Sequence, residues 1–249
     1  MDIVSLHPVD LESVRQYVAA LNGEPSDPNW STWFNDRLRD DVSRSRGGDE
    51  RAANRLTHGL ACALGQRRPV FTYGAFGLSF WEAQVDRSLG MLMRPPSRLF
   101  ADAGLDMSSA RTMPIRLDRQ QGMMGGAFIP ARLIDQARQL LEDHMERSVK
   151  RLVAAEYDPL ASFGLMYEAV TFARDSGVGL YEAMDVVGPD GQGLPGMSIL
   201  TPDRSRLDRS LADRILELQQ PPKKPGLMQR MFGRNPGVSA NGHIPNGND

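Results

Sequence analysis

The strongest pattern in the chain runs from Ala131 to about Ala155. Apolar residues recur at Ile134, Ala137, Leu141, Met145, Val149 and Leu152, and Leu133, Leu140 and Val153 widen the stripe. This spacing predicts one long helix with a broad buried face. Pro130 suits its first turn, where a missing N–H leaves no bond unmade. Pro159 is expected to stop any continuation. A small-residue hinge, Gly122-Met123-Met124-Gly125-Gly126, and an apolar step, Ala127-Phe128-Ile129, lead into it. The rest of the domain is expected to pack on this helix.

Shorter patterns flank it. Residues 2–6 read as an edge strand. Leu11, Val14, Val18 and Leu21 predict a helix closed by Asn22-Gly23. A second helix, from Asn29 to about Ser43, carries Trp30, Trp33, Phe34 and Leu38 on one side. A third, about Arg51 to Leu64, turns Leu56, Leu60, Ala63 and Leu64 inward. Val70 to Tyr73 reads as extended. Phe80, Trp81, Val85 and Leu89 predict a helix that Pro95-Pro96 ends, with a short helix from Pro96 to Ala103. Pro114 to Asp118 reads as a strand or connector, and Ser162 to Arg174 as a helix. Leu180 to Val187 alternates like a strand, although Glu182, Ala183 and Met184 suit a helix; the strand is preferred. From Gly188 the glycines and prolines read as a connector, followed by a helix with a single stripe at Leu207, Leu211, Ile215 and Leu218. These patterns predict an α+β fold, mostly helical. A single compact domain with a small sheet occupies residues 1–187 and a linker 188–202. An amphipathic helix follows at 203–220, then a flexible, disordered basic tail at 221–249.

Composition narrows the function classes. The 249 residues are 41% hydrophobic and 24% charged, with a net charge of −2. Such a balance gives no global attraction for nucleic acid. Cys62 is the one cysteine, so no disulfide forms within the chain. The N-terminus lacks a basic and apolar leader, and no apolar run reaches the roughly 18 residues of a membrane span. A cytoplasmic location is expected.

The order of several features carries a resemblance. They are the helix from Leu11, the segment Trp81-Glu82-Ala83-Gln84-Val85-Asp86, the step Phe128-Ile129-Pro130 into a long helix, Tyr157-Asp158-Pro159, and Tyr167 to Gly179. Over residues 1 to about 187 the chain resembles the YfbM-like bacterial proteins of unknown function. The resemblance implies a compact, mostly helical α+β domain and carries over no catalytic residue.

The candidate chemistry is sparse. His58 and Cys62 are four apart on a predicted helix and share a face, as a Cys–His pair or half a metal site would require. Packing is the preferred reading, because no third ligand lies nearby at metal spacing. His144 stands among Glu142, Asp143 and Glu146, any of which would orient an imidazole base. Its spacing from Leu141 and Ala137 favours packing at the edge of the core. No dinucleotide fingerprint, phosphate loop, calcium loop, nucleophile elbow or zinc-protease motif occurs. No cofactor, metal or catalytic residue is expected.

The lead lies at the C-terminus. Leu227, Met228, Met231 and Phe232 fall on one side of a single helical turn, among Lys223, Lys224, Arg230 and Arg234. From Pro221 onward there are four basic side chains and one acidic. A tethered apolar-and-basic segment reads as a docking peptide for a protein groove, or equally as a segment that folds back on its own domain, ahead of a membrane-surface contact. The partner-binding candidates are Leu227, Met228, Arg230, Met231, Phe232 and Arg234. The expected function is therefore a non-catalytic bacterial interaction protein, adaptor or regulator, docking a protein partner through its body and this segment. The alternatives are a small-molecule binder or enzyme with a pocket near His58 and His144, and an immunity-type protein that blocks a toxin.

Overall fold

The computed structural model describes residues 4–24, 36–65, 70–71, 76–95, 97–104, 127–184, 186–188, 198–199 and 208–220. At its centre is a three-stranded antiparallel sheet, in which β3 (Gly179–Met184) runs between β1 (Val4–Val9) and β2 (Phe128–Ile129). Leu6 pairs with Glu182, His7 with Tyr181, and Phe128 with Tyr181. The preferred strand reading of the Leu180 segment is realised from Gly179 to Met184. The N-terminal strand extends to Val9 because β3 offers it partners through Gly179. The apolar step at Phe128 is itself a strand.

Both faces of the sheet are covered. One face presents Val9, Phe128, Tyr181 and Ala183 to α1 (Leu11–Asn22), α3 (Glu50–Gly65) and α4 (Ser97–Asp102); α2 (Asp36–Arg46) adds Val42 to the same core. The other face presents Leu6, Ile129 and Leu180. These pack with α5 (Ala131–Asp143), α6 (Met145–Ala154), α7 (Pro159–Asp175), the segment 78–93 and α8 (Arg209–Gln219). Period-2 alternation sends successive strand residues into opposite cores. A strand covered on both faces loses its polar side, which is why Leu180–Val187 was hard to classify from pattern alone.

Local chemistry sets the helix ends. Asp10 accepts the Ser13 amide at 2.7 Å to start α1, and Gly23, at φ 76°, closes it in the left-handed region. Asp49 accepts the Arg51 and Ala52 amides at the start of α3. Asp158 caps α7 through the Leu160 amide at 2.9 Å.

Three expectations need correction. The long central helix is two helices, α5 and α6, divided at His144 (φ −105°, ψ 8°). Hydrogen bonds from the His144 amide to Leu140 and from the Ser148 amide to His144 still bridge the division. Pro159 starts the next helix instead of stopping this one; α6 ends at Ala154, and Glu156 turns the chain at φ 60°. The expected helix through Trp81 and Leu89 is a composite. It holds one turn at Leu78–Phe80, a π turn at Trp81–Val85, extended Asp86, and a 3-10 turn at Arg87–Met91. The Asp86 amide bonds the Trp81 carbonyl at 2.8 Å, five residues back, and closes the π turn.

Past the sheet, Val187–Gly188 (β4), at the boundary between the expected domain and linker, pairs in parallel with Ser198–Ile199 (β5), inside the span read as linker. Leu211 and Ile215 of the predicted stripe are buried in the second core; Leu207 lies outside the described residues. The described residues up to Gln219 make one compact unit. Trp30, Trp33, Phe34, the segment 114–118 and the whole tail 221–249 lie outside the described residues. Among those described, no helix is long and apolar enough to cross a membrane.

Candidate functional site

The π turn and α6 run side by side, and the polar chemistry of the second core gathers between them. Asp86 is the hub. Its side chain is 3% exposed although it carries a charge. One carboxylate oxygen accepts the Ser88 amide at 2.9 Å. The other accepts Arg147 Nη2 at 2.8 Å and lies 2.5 Å from His144 Nδ1. Burial alone favours the neutral acid. The Ser88 amide, His144 and Arg147 outweigh burial and hold the Asp86 carboxyl below the usual carboxylate range. With Asp86 ionised, the proton of the His144–Asp86 bond sits on Nδ1. Arg147, 2.8 Å from the same nitrogen, then donates to the carboxylate and not to the ring.

Beside this hub lies a groove of about 430 Å³, lined by Glu82 to Ser88 and by Arg147 and Arg151. Arg151 donates to the Val85 carbonyl at the end of the π turn. Arg147 and Arg151 are one turn apart, about 6 Å along the axis. Arg87, on the opposite wall, is exposed and forms no ion pair among the described residues; Arg151 likewise meets no carboxylate there. Glu82 lies over Gly90, where a Cβ would sit 2.2 Å from its Oε1. The groove thus holds two guanidinium groups without an anionic partner among the described residues, and a third, Arg147, oriented by a buried carboxylate.

The predicted candidates fall elsewhere or acquire other partners. Leu227, Met228, Arg230, Met231, Phe232 and Arg234 lie outside the described residues. His58 is buried on α3, and the side chain of Cys62 is outside the described residues. His7 is buried in β1, with Nε2 2.7 Å from the Ser5 hydroxyl. His144 is half-buried and hydrogen-bonded to a carboxylate, where simple packing was preferred. The carboxylate beside it is Asp86, 58 residues away, and none of its three acidic neighbours in sequence. Glu142 accepts the Tyr167 hydroxyl and pairs with Arg138; Asp143 accepts Gln139; Glu146 pairs with Lys150. His58 and His144 belong to helices on opposite faces of the sheet, so the structure does not bring them together. Asp86, Arg147 and Arg151 were not singled out from sequence. The available signals were Asp-x-Ser, which caps a turn, and arginines at i and i+4, which share a helix face.

Among the described residues no group of three or more His, Cys, Asp or Glu side chains is placed to hold a metal ion. Comparison of the chain with protein families, curated proteins and solved structures gives no match. Roles for these residues therefore rest on their geometry.

Proposed function

We propose that this chain is an interaction protein whose body recognises an anionic group on its partner, at the groove between the π turn and α6. The observation that carries this reading is the pair Arg87 and Arg151, facing one groove without a carboxylate partner among the described residues, beside Arg147, which Asp86 holds in place. Guanidinium groups match the planar fork of carboxylate and phosphate. Side chains already fixed by Asp86 and by the Val85 carbonyl lose little freedom on binding, which favours affinity. The segment Leu227 to Arg234 is proposed as a second contact to the same protein partner.

The test is calorimetric titration of the full chain with succinate and with inorganic phosphate. Saturable binding that weakens with added salt is expected, reduced about tenfold when Arg87 and Arg151 are both replaced by alanine. An affinity that the double replacement leaves unchanged would overturn the reading.

A further inference from the structure

The buried carboxylate of the groove serves two donors, and one of them titrates. Asp86 Oδ2 lies 2.8 Å from Arg147 Nη2 and 2.5 Å from His144 Nδ1, and those two nitrogens are 2.8 Å from each other. Asp86 and Arg147 line the groove. His144 stands behind them, its side chain 29% exposed and so able to exchange a proton with water. An imidazole is the side chain whose charge ordinarily changes between about pH 5 and 8. Its charged and titratable neighbours come from each adjoining element. The segment 81–91 supplies Glu82, Asp86 and Arg87; α5 ends in Glu142 and Asp143; α6 opens with Glu146 and Arg147. Farther out, Glu142 meets Arg138, Tyr167 of α7 and the charge of Arg214 on α8, and Glu146 meets Lys150. Arg138 holds Glu142, and Lys150 holds Glu146, below the usual carboxylate range, as Asp86 is held; burial and the Glu142 bond push the Tyr167 hydroxyl up. Carboxylates, guanidinium groups and a phenol ordinarily keep one charge between about pH 5.5 and 8. The imidazole is the group of this set that changes.

We propose that the proton on His144 regulates the groove, which binds its anion more tightly when the imidazole is charged. This rests on the anion reading above and adds what controls that site. With His144 neutral, the charge of Asp86 lies against Arg147 and cancels part of the attraction that Arg147 offers an anion. With His144 protonated, Asp86 has an opposite charge on its other side, and the charge of Arg147 is less offset. Arg87, Arg147 and Arg151 against Glu82 and Asp86 leave the groove at +1; the imidazolium behind it makes that +2. No rearrangement is needed. Nδ1 carries a hydrogen toward Asp86 in both states, and the proton that comes and goes is taken from water by Nε2. One added unit charge at this separation, close to a protein surface, tightens an anion about fivefold.

The experiment is calorimetric titration of the full chain with sulfate at about pH 8 and about pH 5.5, at one ionic strength. Sulfate keeps the same charge across that range, so any change in affinity belongs to the protein. The parent is expected to bind about fivefold more tightly at the lower pH. His144→Asn sets an amide donor near the place of Nδ1 and is uncharged at both pH values; its two affinities are expected to agree within about twofold. His7, His58 and His243 remain in that variant, so it also measures what they contribute. Circular dichroism confirms that it is folded. Linkage supplies a second measurement on the parent alone: sulfate is expected to move the midpoint of the His144 imidazole titration, followed by NMR, to higher pH. An affinity that is the same at both pH values, a gain that folded His144→Asn retains, or a midpoint that sulfate does not move overturns this inference and leaves the anion reading standing. Absence of saturable sulfate binding at both pH values overturns both.

Discussion

Replacing Asp86 by asparagine tests the hub directly, because the side chain keeps its shape and loses one acceptor. In the parent, one oxygen takes the Ser88 amide and the other takes Arg147 and faces His144. Asparagine has one oxygen, so one of two losses follows. If its oxygen stays on Ser88, its NH2 faces Arg147 Nη2, donor against donor. A neutral His144 changes tautomer and accepts, but Arg147 must swing away. A hydrogen bond to a charged group contributes about 1.5–3 kcal/mol when buried; Arg147 is 47% exposed, so water returns much of it. About 1 kcal/mol is lost. If the amide flips, its NH2 faces the Ser88 N–H and the cap is lost, at about 1 kcal/mol, with an unsatisfied part-buried donor besides. Either orientation costs about 1–2 kcal/mol. That corresponds to a fall in Tm of about 2–8 °C for a unit of this size.

The pH dependence carries the sign. Asp86 titrates below the ordinary carboxylate range in the folded chain, so its ionised form stabilises the fold. This contribution is fully present above the unfolded value of about 4 and is lost as pH falls through the lower folded value. The Tm gap between parent and Asp86→Asn therefore narrows as pH falls below about 4. Differential scanning calorimetry at neutral pH and across the acid limb makes the measurement. A gap under about 1 °C at neutral pH, or one that widens as pH falls below about 4, would refute the reasoning.

Three further outcomes are expected. Gly179→Ala puts a Cβ 2.6 Å from a Phe128 ring carbon and 2.9 Å from the Ile129 carbonyl oxygen. It should destabilise by about 1–3 kcal/mol in urea unfolding, since that backbone oxygen is held in the sheet. Ile215→Ala empties a fully buried site where α8 meets the second core and should cost about 2–5 kcal/mol; a near-neutral result in the same assay would show that α8 is not part of the folded body. Truncation after Gln220 should leave the Tm within about 2 °C while weakening capture of the protein partner in a pull-down, and identical partner sets with and without the tail would remove its docking role.

Much of the fold was legible in the chain because the relevant forces are local. Asp10 and Gly23 bracket α1, and the stripes at Ile134–Leu152 and Leu211–Ile215 mark faces that water must leave. Each is an effect of residues within two turns of one another, so spacing alone reveals it. The mostly helical α+β class follows from counting such stripes. The site was less legible. His144 was noticed for its acidic neighbours in sequence, yet those carboxylates pair with Arg138, Gln139 and Lys150 on the outer turns.

What the sequence determined by itself, then, is which side of most helices is apolar and where α1 begins and ends, because capping and periodicity are settled within a few residues. Only the tertiary structure decided that β3 is buried on both faces, that the central helix divides at His144, and that Asp86 meets His144 and Arg147. Those pairings join residues about sixty positions apart, and no local preference encodes them. They exist because two cores close on opposite faces of one small sheet and press the π turn against α6, where a buried carboxylate is stable only with cations beside it.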